Sequence, residues 1–398
     1  MSHEKSPIWT KSFITIFISN FFIFLIFYGL LTTLPIYVVE DLQRTDKEGG
    51  LIVTAFLLSA IVVRPFSGRL LETYGKKKML MFSLTLFLLS TFLYMLVKPY
   101  FLLLALRFFQ GIWFSIATTA TGAIAADLVP VKRRGEGLGY FVMSNNFAVV
   151  CGPFIALFLL QSMSFDWLFL VLGILMTIGA VFTLSIKVNE TPSPLSKRKI
   201  SLDDLFETKA IPIALIGCLI AFSYSSVLSF ISIYAKSLGL IEAASFFFVI
   251  FAVVMLVSRP FSGRLFDTRG PNFVMYPAFI SFALGLFTLS IVESSISLLL
   301  AGAFIGLGYG TLVPSFQTIA VQSADHKRSA HATATFFTFF DSGIAAGSFV
   351  LGIIASLYGY SYLYLFASIL VLLVLVIYRW KQAGRKAQAY QINENQNI

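Results

Sequence analysis

Apolar stretches of similar length recur along this chain, separated by short polar breaks. A helix that crosses the hydrocarbon of a bilayer needs about 20 mostly apolar residues. On that ruler the pattern predicts twelve spans, at residues 12–38, 49–68, 79–97, 101–126, 136–162, 166–187, 210–235, 243–263, 273–292, 296–321, 331–356 and 361–379. Backbone polar groups in hydrocarbon must be satisfied within the segment, so these are expected to be helices. The runs are too long and too continuous for barrel strands, which alternate over about 10 residues. The first has no small-residue cleavage site and is followed by eleven more, so it reads as an uncleaved span. The longest polar break, Lys187–Lys209, contains TPSPLSKRKISLDDLFE and divides six spans from six. Ser201 with Asp203 and Asp204 reads as a helix start, and Leu202, Leu205 and Phe206 as a short amphipathic turn on the membrane surface. The expected organisation is an N-terminal six-helix bundle at 1–187, a cytoplasmic linker at 188–209, a second bundle at 210–380 and a cytoplasmic tail at 381–398.

Composition agrees with the pattern. The 398 residues are 58% hydrophobic and 12% charged, whereas soluble domains carry about 25% charged residues. The net charge of +10 is mainly a matter of topology. Lys and Arg gather in alternate breaks, and only Arg44, Lys47, Lys98, Lys236 and the intramembrane Arg107 fall elsewhere. The positive-inside rule then puts both termini in the cytoplasm, in keeping with an even number of spans. No soluble basic domain exists for nucleic acid. Cys151 and Cys218 both fall inside spans and read as buried apolar residues. No metal spacing and no Walker-type loop is present, and no cofactor is implied. His, Asp and Cys do not cluster at one membrane face, which argues against a membrane enzyme.

The phrase RPFSGRL occurs at Arg64–Leu70 and again, 195 positions later, at Arg259–Leu265. The same offset brings Gly75 to Gly270, Gly111 to Gly306 and Gly152 to Gly347. A duplicated six-span unit is the parallel repeat of one large class of secondary transporters. In each copy Arg-Pro is expected to close a span near the cytoplasm, and the small residues after it permit close helix approach.

On these residues the chain resembles the major facilitator superfamily over nearly its full length. Gly68, Leu70, Glu72, Gly75, Lys76 and Lys77 resemble the family pattern G-x-L-a-D-R-x-G-R-K, with Glu for Asp and Thr73 where the pattern has Arg. In the copy Gly263, Leu265, Asp267 and Gly270 match, without the basic tail. The resemblance implies that these positions, with Arg69 and Arg264, form a cytoplasmic latch that holds when the cavity opens outward and breaks when it turns inward. Leu104, Arg107, Gln110 and Gly111 resemble the family's fourth-span pattern, in which the Arg is tied to proton coupling. Gly139, Gly152 and Pro153 resemble the fifth-span motif of the antiporters, with Ala148 and Ala156 replacing two of its glycines.

A charge inside a bilayer costs at least about 2.5–3.5 kcal/mol, so each intramembrane ionisable residue is a functional candidate. Asp341, in TFFTFFDSGIAAG, lies ten residues beyond His331, about 15 Å along a helix. Burial there favours the neutral carboxyl, which suits a proton carrier. At the repeat offset its counterpart is Asn146, beside Asn145. Asp127 is expected to pair with Lys132 or Arg133. Candidate cavity residues are Asn20, Phe24, Tyr28, Trp113, Phe114, Asn145, Asn146, Tyr224, Tyr309, Gln317, Phe336 and Phe340. Aromatic walls with one buried acid suit amphipathic cargo, neutral or cationic. The expectation is a plasma-membrane, proton-coupled antiporter, acting as a monomer, that exports drug-like small molecules by alternating access. The alternative is an exporter or proton symporter for a metabolite, siderophore or lipid precursor.

Overall fold

A computed structural model describes residues 7–160, 162–188, 205–325 and 328–396. Most of the expected linker and Lys327 lie outside the described residues, as do the side chains of the tail beyond Trp380. Twelve α-helices occur among the described residues: α1 Lys11–Ile36, α2 Asp46–Tyr74, α3 Lys76–Leu93, α4 Tyr100–Leu128, α5 Arg134–Leu160, α6 Phe165–Leu184, α7 Ile211–Ser237, α8 Ile241–Arg269, α9 Pro271–Ser290, α10 Ser295–Ser323, α11 Ser329–Tyr358 and α12 Tyr360–Gln396. Each coincides with an apolar stretch. Eleven are long and apolar enough to cross a membrane. The remaining helix, α3, opens on three lysines. Large apolar side chains such as Phe101, Phe154 and Phe349 stand exposed, as a lipid-facing surface requires.

Local chemistry sets the helix ends. Thr10 caps α1 by accepting from the Phe13 amide at 3.2 Å. Thr45 and Glu48 form a reciprocal capping box at the start of α2, worth about 1 kcal/mol. Gly75 and Gly270 sit at φ 93° and 86°, where a side chain is strained. They let α3 follow α2, and α9 follow α8, with a single residue between.

Two expectations need correction here. Arg-Pro does not close the second and eighth spans: α2 and α8 continue through RPFSGRL to Tyr74 and Arg269, with Pro65 and Pro260 inside them. Arg64 and Arg259 are therefore not loop charges but buried side chains. The apolar ruler stopped at the first polar cluster, whereas both helices continue through it.

The chain forms two compact units. The first is Met1–Ile211 with Gln317–Thr338, and the second is Pro212–Phe316 with Phe339–Ile398. In each, glycines allow two helix pairs to touch backbone to backbone. A side chain at Gly111 would strike the Phe56 carbonyl of α2, and one at Gly152 would lie 2.7 Å from the Leu25 carbonyl of α1. In the second unit Gly306 meets the Phe251 carbonyl of α8, and Gly347 the Phe222 carbonyl of α7, both at 2.5 Å. The Gly111–Phe56 contact repeats residue for residue at the offset of RPFSGRL, and Gly347 meets the carbonyl two residues beyond the counterpart of Leu25, so the duplication is one of packing as well as of sequence.

Candidate transport site

The residues that the first copy of the phrase brings to the expected latch gather in the first unit. Gly68 lets α2 approach the start of α11, where an added Cβ would lie 2.8 Å from the His331 Cα. One turn on, a Glu72 oxygen accepts from the His331 amide at 3.4 Å, and the other lies 2.7 Å from its Nδ1. A carboxylate at a helix N-terminus is favoured by the unsatisfied amides there. Lys76 Nζ lies 2.5 Å from Asp127 Oδ2 and 2.7 Å from Ser329 Oγ, and Ser329 donates to Asp127 Oδ1 at 2.9 Å. Lys77 donates to the Ile186 carbonyl at 2.6 Å, beyond the end of α6. Arg69 is half-buried beside this group, and Gly75 makes the turn. Gly263, Arg264 and Asp267 occupy the corresponding places on α8, and Gly270 follows its end.

Asp127 thus pairs with Lys76, not with Lys132 or Arg133. A 3₁₀ turn at Val131–Arg133 carries those side chains past the end of α4. Arg133 pairs instead with Glu136 at 2.8 Å, one turn into α5. Glu207, just before α7, was not foreseen: Arg328 binds it at 2.5 Å, and its amide donates to Thr335 at 2.8 Å.

Arg107 is fully buried on α4. Its Nη1 donates to Gln110 Oε1 at 2.7 Å, and its guanidinium lies 4.1 Å from the centre of the Phe56 ring. Tyr94 donates to the same Gln110 oxygen at 2.7 Å, and Gln110 donates to Thr91 at 3.1 Å. At the repeat offset these four residues become Gly302, Ile305, Leu289 and Leu286. The second unit packs without them, so the fold does not require this polar cluster.

An aromatic cluster lies alongside. Phe114 meets Phe24, Phe27, Phe56 and Phe87 at ring-centre distances of 4.7–6.1 Å, and Tyr28 stacks on Phe24. The second unit repeats it: Phe251, Phe282 and Tyr309 stand where Phe56, Phe87 and Phe114 do, and Tyr309 stacks face to face on Tyr224 at 3.6 Å.

The remaining candidates separate by surroundings. Asn20 is used up in packing: it donates to Ser144 at 2.8 Å and accepts from Thr121 at 2.7 Å, tying α1, α4 and α5 together. Trp113 packs on Phe82 and Phe109, both exposed. Asn146 Nδ2, Asn145 Oδ1 and both amide atoms of the buried Gln317 have no hydrogen-bond partner among the described residues. Gly139 and Gly152 are buried on α5, which also holds Pro153. Phe336 is fully buried in the first unit. In the second unit Phe340 is buried, and the next residue, Asp341, is partly buried twelve residues into α11.

Comparison with known proteins agrees with this architecture. Relatives include an uncharacterized MFS-type transporter of Methanocaldococcus jannaschii, 24% identical over 83% of this chain and 88% of its own. Another is the quinolone resistance protein NorA of Staphylococcus aureus (strain MRSA252), 30% identical over 56% of this chain and 58% of its own. Among solved structures, the human organic anion transporter MFSD10 superposes with a TM-score of 0.77 at 16% identity, covering 93% of this chain and 99% of its own. The fucose:proton symporter FucP of E. coli superposes at 0.72 and 17%, with the same coverage. These two likenesses carry the fold alone. The profile of the Major Facilitator Superfamily matches residues 16–348 and again 278–395, and the chain belongs to that superfamily of multi-pass membrane transporters, which bind small molecules and are not enzymes.

Proposed function

We propose that this transporter is a proton-coupled antiporter of the plasma membrane that exports amphipathic aromatic compounds. The two six-helix halves rock about a midplane site, and both termini face the cytoplasm. The observation that carries the export reading is the 30% identity with a quinolone resistance protein over 227 residues. The aromatic clusters around Phe114 and Tyr309 suit flat, greasy cargo. Asp341 is the proton carrier: taking a proton from outside and cargo from inside are competing events at one site. Arg107, held by Gln110, sets the field in which protons move. The charged group of Glu72, Lys76, Asp127, Ser329 and His331 is the latch that alternates with cargo release.

The test uses inverted vesicles with an acidified interior and a pH-sensitive dye. Adding norfloxacin or another amphipathic aromatic drug is expected to release protons in the wild type and not in Asp341→Asn. Release in both proteins removes Asp341 from the coupling. Release in neither removes drug/proton antiport and favours the metabolite exporter or symporter.

A further inference from the structure

Four acidic or basic side chains (Asp, Glu, Lys, Arg or His) lie seven or more residues from both ends of a span, among the described residues: Arg64, Arg107, Arg259 and Asp341. Three of these are cations and one is a carboxyl. Charges in such a place persist where they are paired or where they serve a ligand.

Arg259 is the least provided for. It is 2% exposed, and its Nε and Nη1 find no hydrogen-bond partner. Its repeat counterpart Arg64 donates to Thr118 at 3.4 Å and lies 5.2 Å from the Phe337 ring centre. At the repeat offset Thr118 becomes Val313, so the hydroxyl that serves the first arginine is missing beside the second. What the second unit has instead is a platform. A side chain at Gly310, next to Tyr309 on α10, would strike Met255, one turn before Arg259 on α8, so the arginine and the platform lie on closely packed helices. It stacks on Tyr224 at 3.6 Å with 12° between the rings, and Phe251 lies 6.1 Å beyond. The first unit has Phe114 and Gly29 in those two positions, and there Phe27 stacks on Phe114 at 4.7 Å with 25° between the rings.

A guanidinium with unsatisfied N–H donors is matched in shape and charge by a carboxylate, which can take two of them at once. An adjacent aromatic pair supplies an apolar surface for a ring attached to that carboxylate. We propose that Arg259, with Tyr224 and Tyr309, recognises the carboxylate of an amphipathic aromatic cargo. The cargo is then an organic acid or a zwitterion, in place of the neutral or cationic molecule expected from the wall composition. The sequence concealed this because Arg259 reads as one more basic residue at the end of a span.

The inference rests on the transport reading only in taking the cargo to be aromatic and amphipathic, and its test needs no proton gradient. Equilibrium binding to the full chain in lipid nanodiscs is measured by fluorescence, with empty nanodiscs subtracted. The probes are norfloxacin with its ethyl ester, and 1-pyrenebutyrate with its amide. The wild type is expected to prefer each acid over its ester or amide, which lacks the carboxylate, by about ten-fold or more. Arg259→Gln is expected to reduce that preference to about two-fold or less, and Arg259→Lys to keep part of it. Equal binding of the acid and its ester or amide by the wild type in both pairs overturns the proposal, and this needs no variant to fold. An unchanged preference in Arg259→Gln overturns it as well. Acid preference without proton release in vesicles sinks the antiport reading and leaves this one standing.

Discussion

At the scale of single residues, the polar cluster on α4 gives a double-mutant test. Gln110 Oε1 accepts from both Arg107 and Tyr94, so one amide oxygen carries two buried donors. Gln110→Leu leaves Arg107 without a hydrogen bond and is expected to cost about 2–4 kcal/mol, because a charge is then buried unpaired. Adding Arg107→Leu is expected to recover most of that loss, since the second unit packs apolar residues at the equivalents of Gln110, Tyr94 and Thr91. Thermal unfolding in detergent measures both. Additive losses would show that the two side chains are not one unit. Arg107, Asp341 and Asn146 stand out in the sequence because a polar residue in a long apolar run is conspicuous. Their partners do not. That Asp127 meets Lys76 and not Lys132 follows from where a short 3₁₀ turn points its side chains, and spacing along the chain does not encode this.

At the scale of helices, apolar run lengths located all twelve elements, because length and hydropathy are what a bilayer selects. The ends were less legible. α2 extends past RPFSGRL with Arg64 and Glu72 satisfied by neighbours distant in sequence, and α8 extends equally far around a buried Arg259. The glycine repeat was legible as letters, and its meaning is contact between backbones. Gly111→Ala and Gly306→Ala each push a methyl group onto a carbonyl of the facing helix, Phe56 in one unit and Phe251 in the other. Backbone cannot swing aside as a flexible side chain can. Each substitution is expected to lower stability by about 1–3 kcal/mol, and the two by similar amounts. Unfolding midpoints of the two single variants check this. A large cost at one site with none at the other would mean that the repeated letters do different work in the two halves.

At the scale of the whole chain, the duplication and the charge bias were readable from the sequence, and the bias leads to a claim about orientation. Lys98 and Lys187 lie at opposite ends of the first unit. Lys98 follows α3 and pairs at 2.6 Å with Asp166 at the start of α6, whereas Lys187 follows the end of α6, where Lys77 from the start of α3 also reaches. Both side chains are exposed, and an exposed ion pair such as Lys98–Asp166 is worth about 0–1 kcal/mol, so cysteine is tolerable at either place. The hydrogen bond to Asp166 holds the Lys98 amine above its ordinary value. Its small contribution to stability is therefore present below that ordinary value and fades as pH rises past the folded one. With Cys151 and Cys218 replaced by Ala, Lys98→Cys is expected to react with a membrane-impermeant maleimide in intact cells. Lys187→Cys is expected to react only after permeabilisation. The reverse pattern would place the basic ends outside. It would also invert the export direction, since cargo entering from the basic end would then be cargo entering from outside.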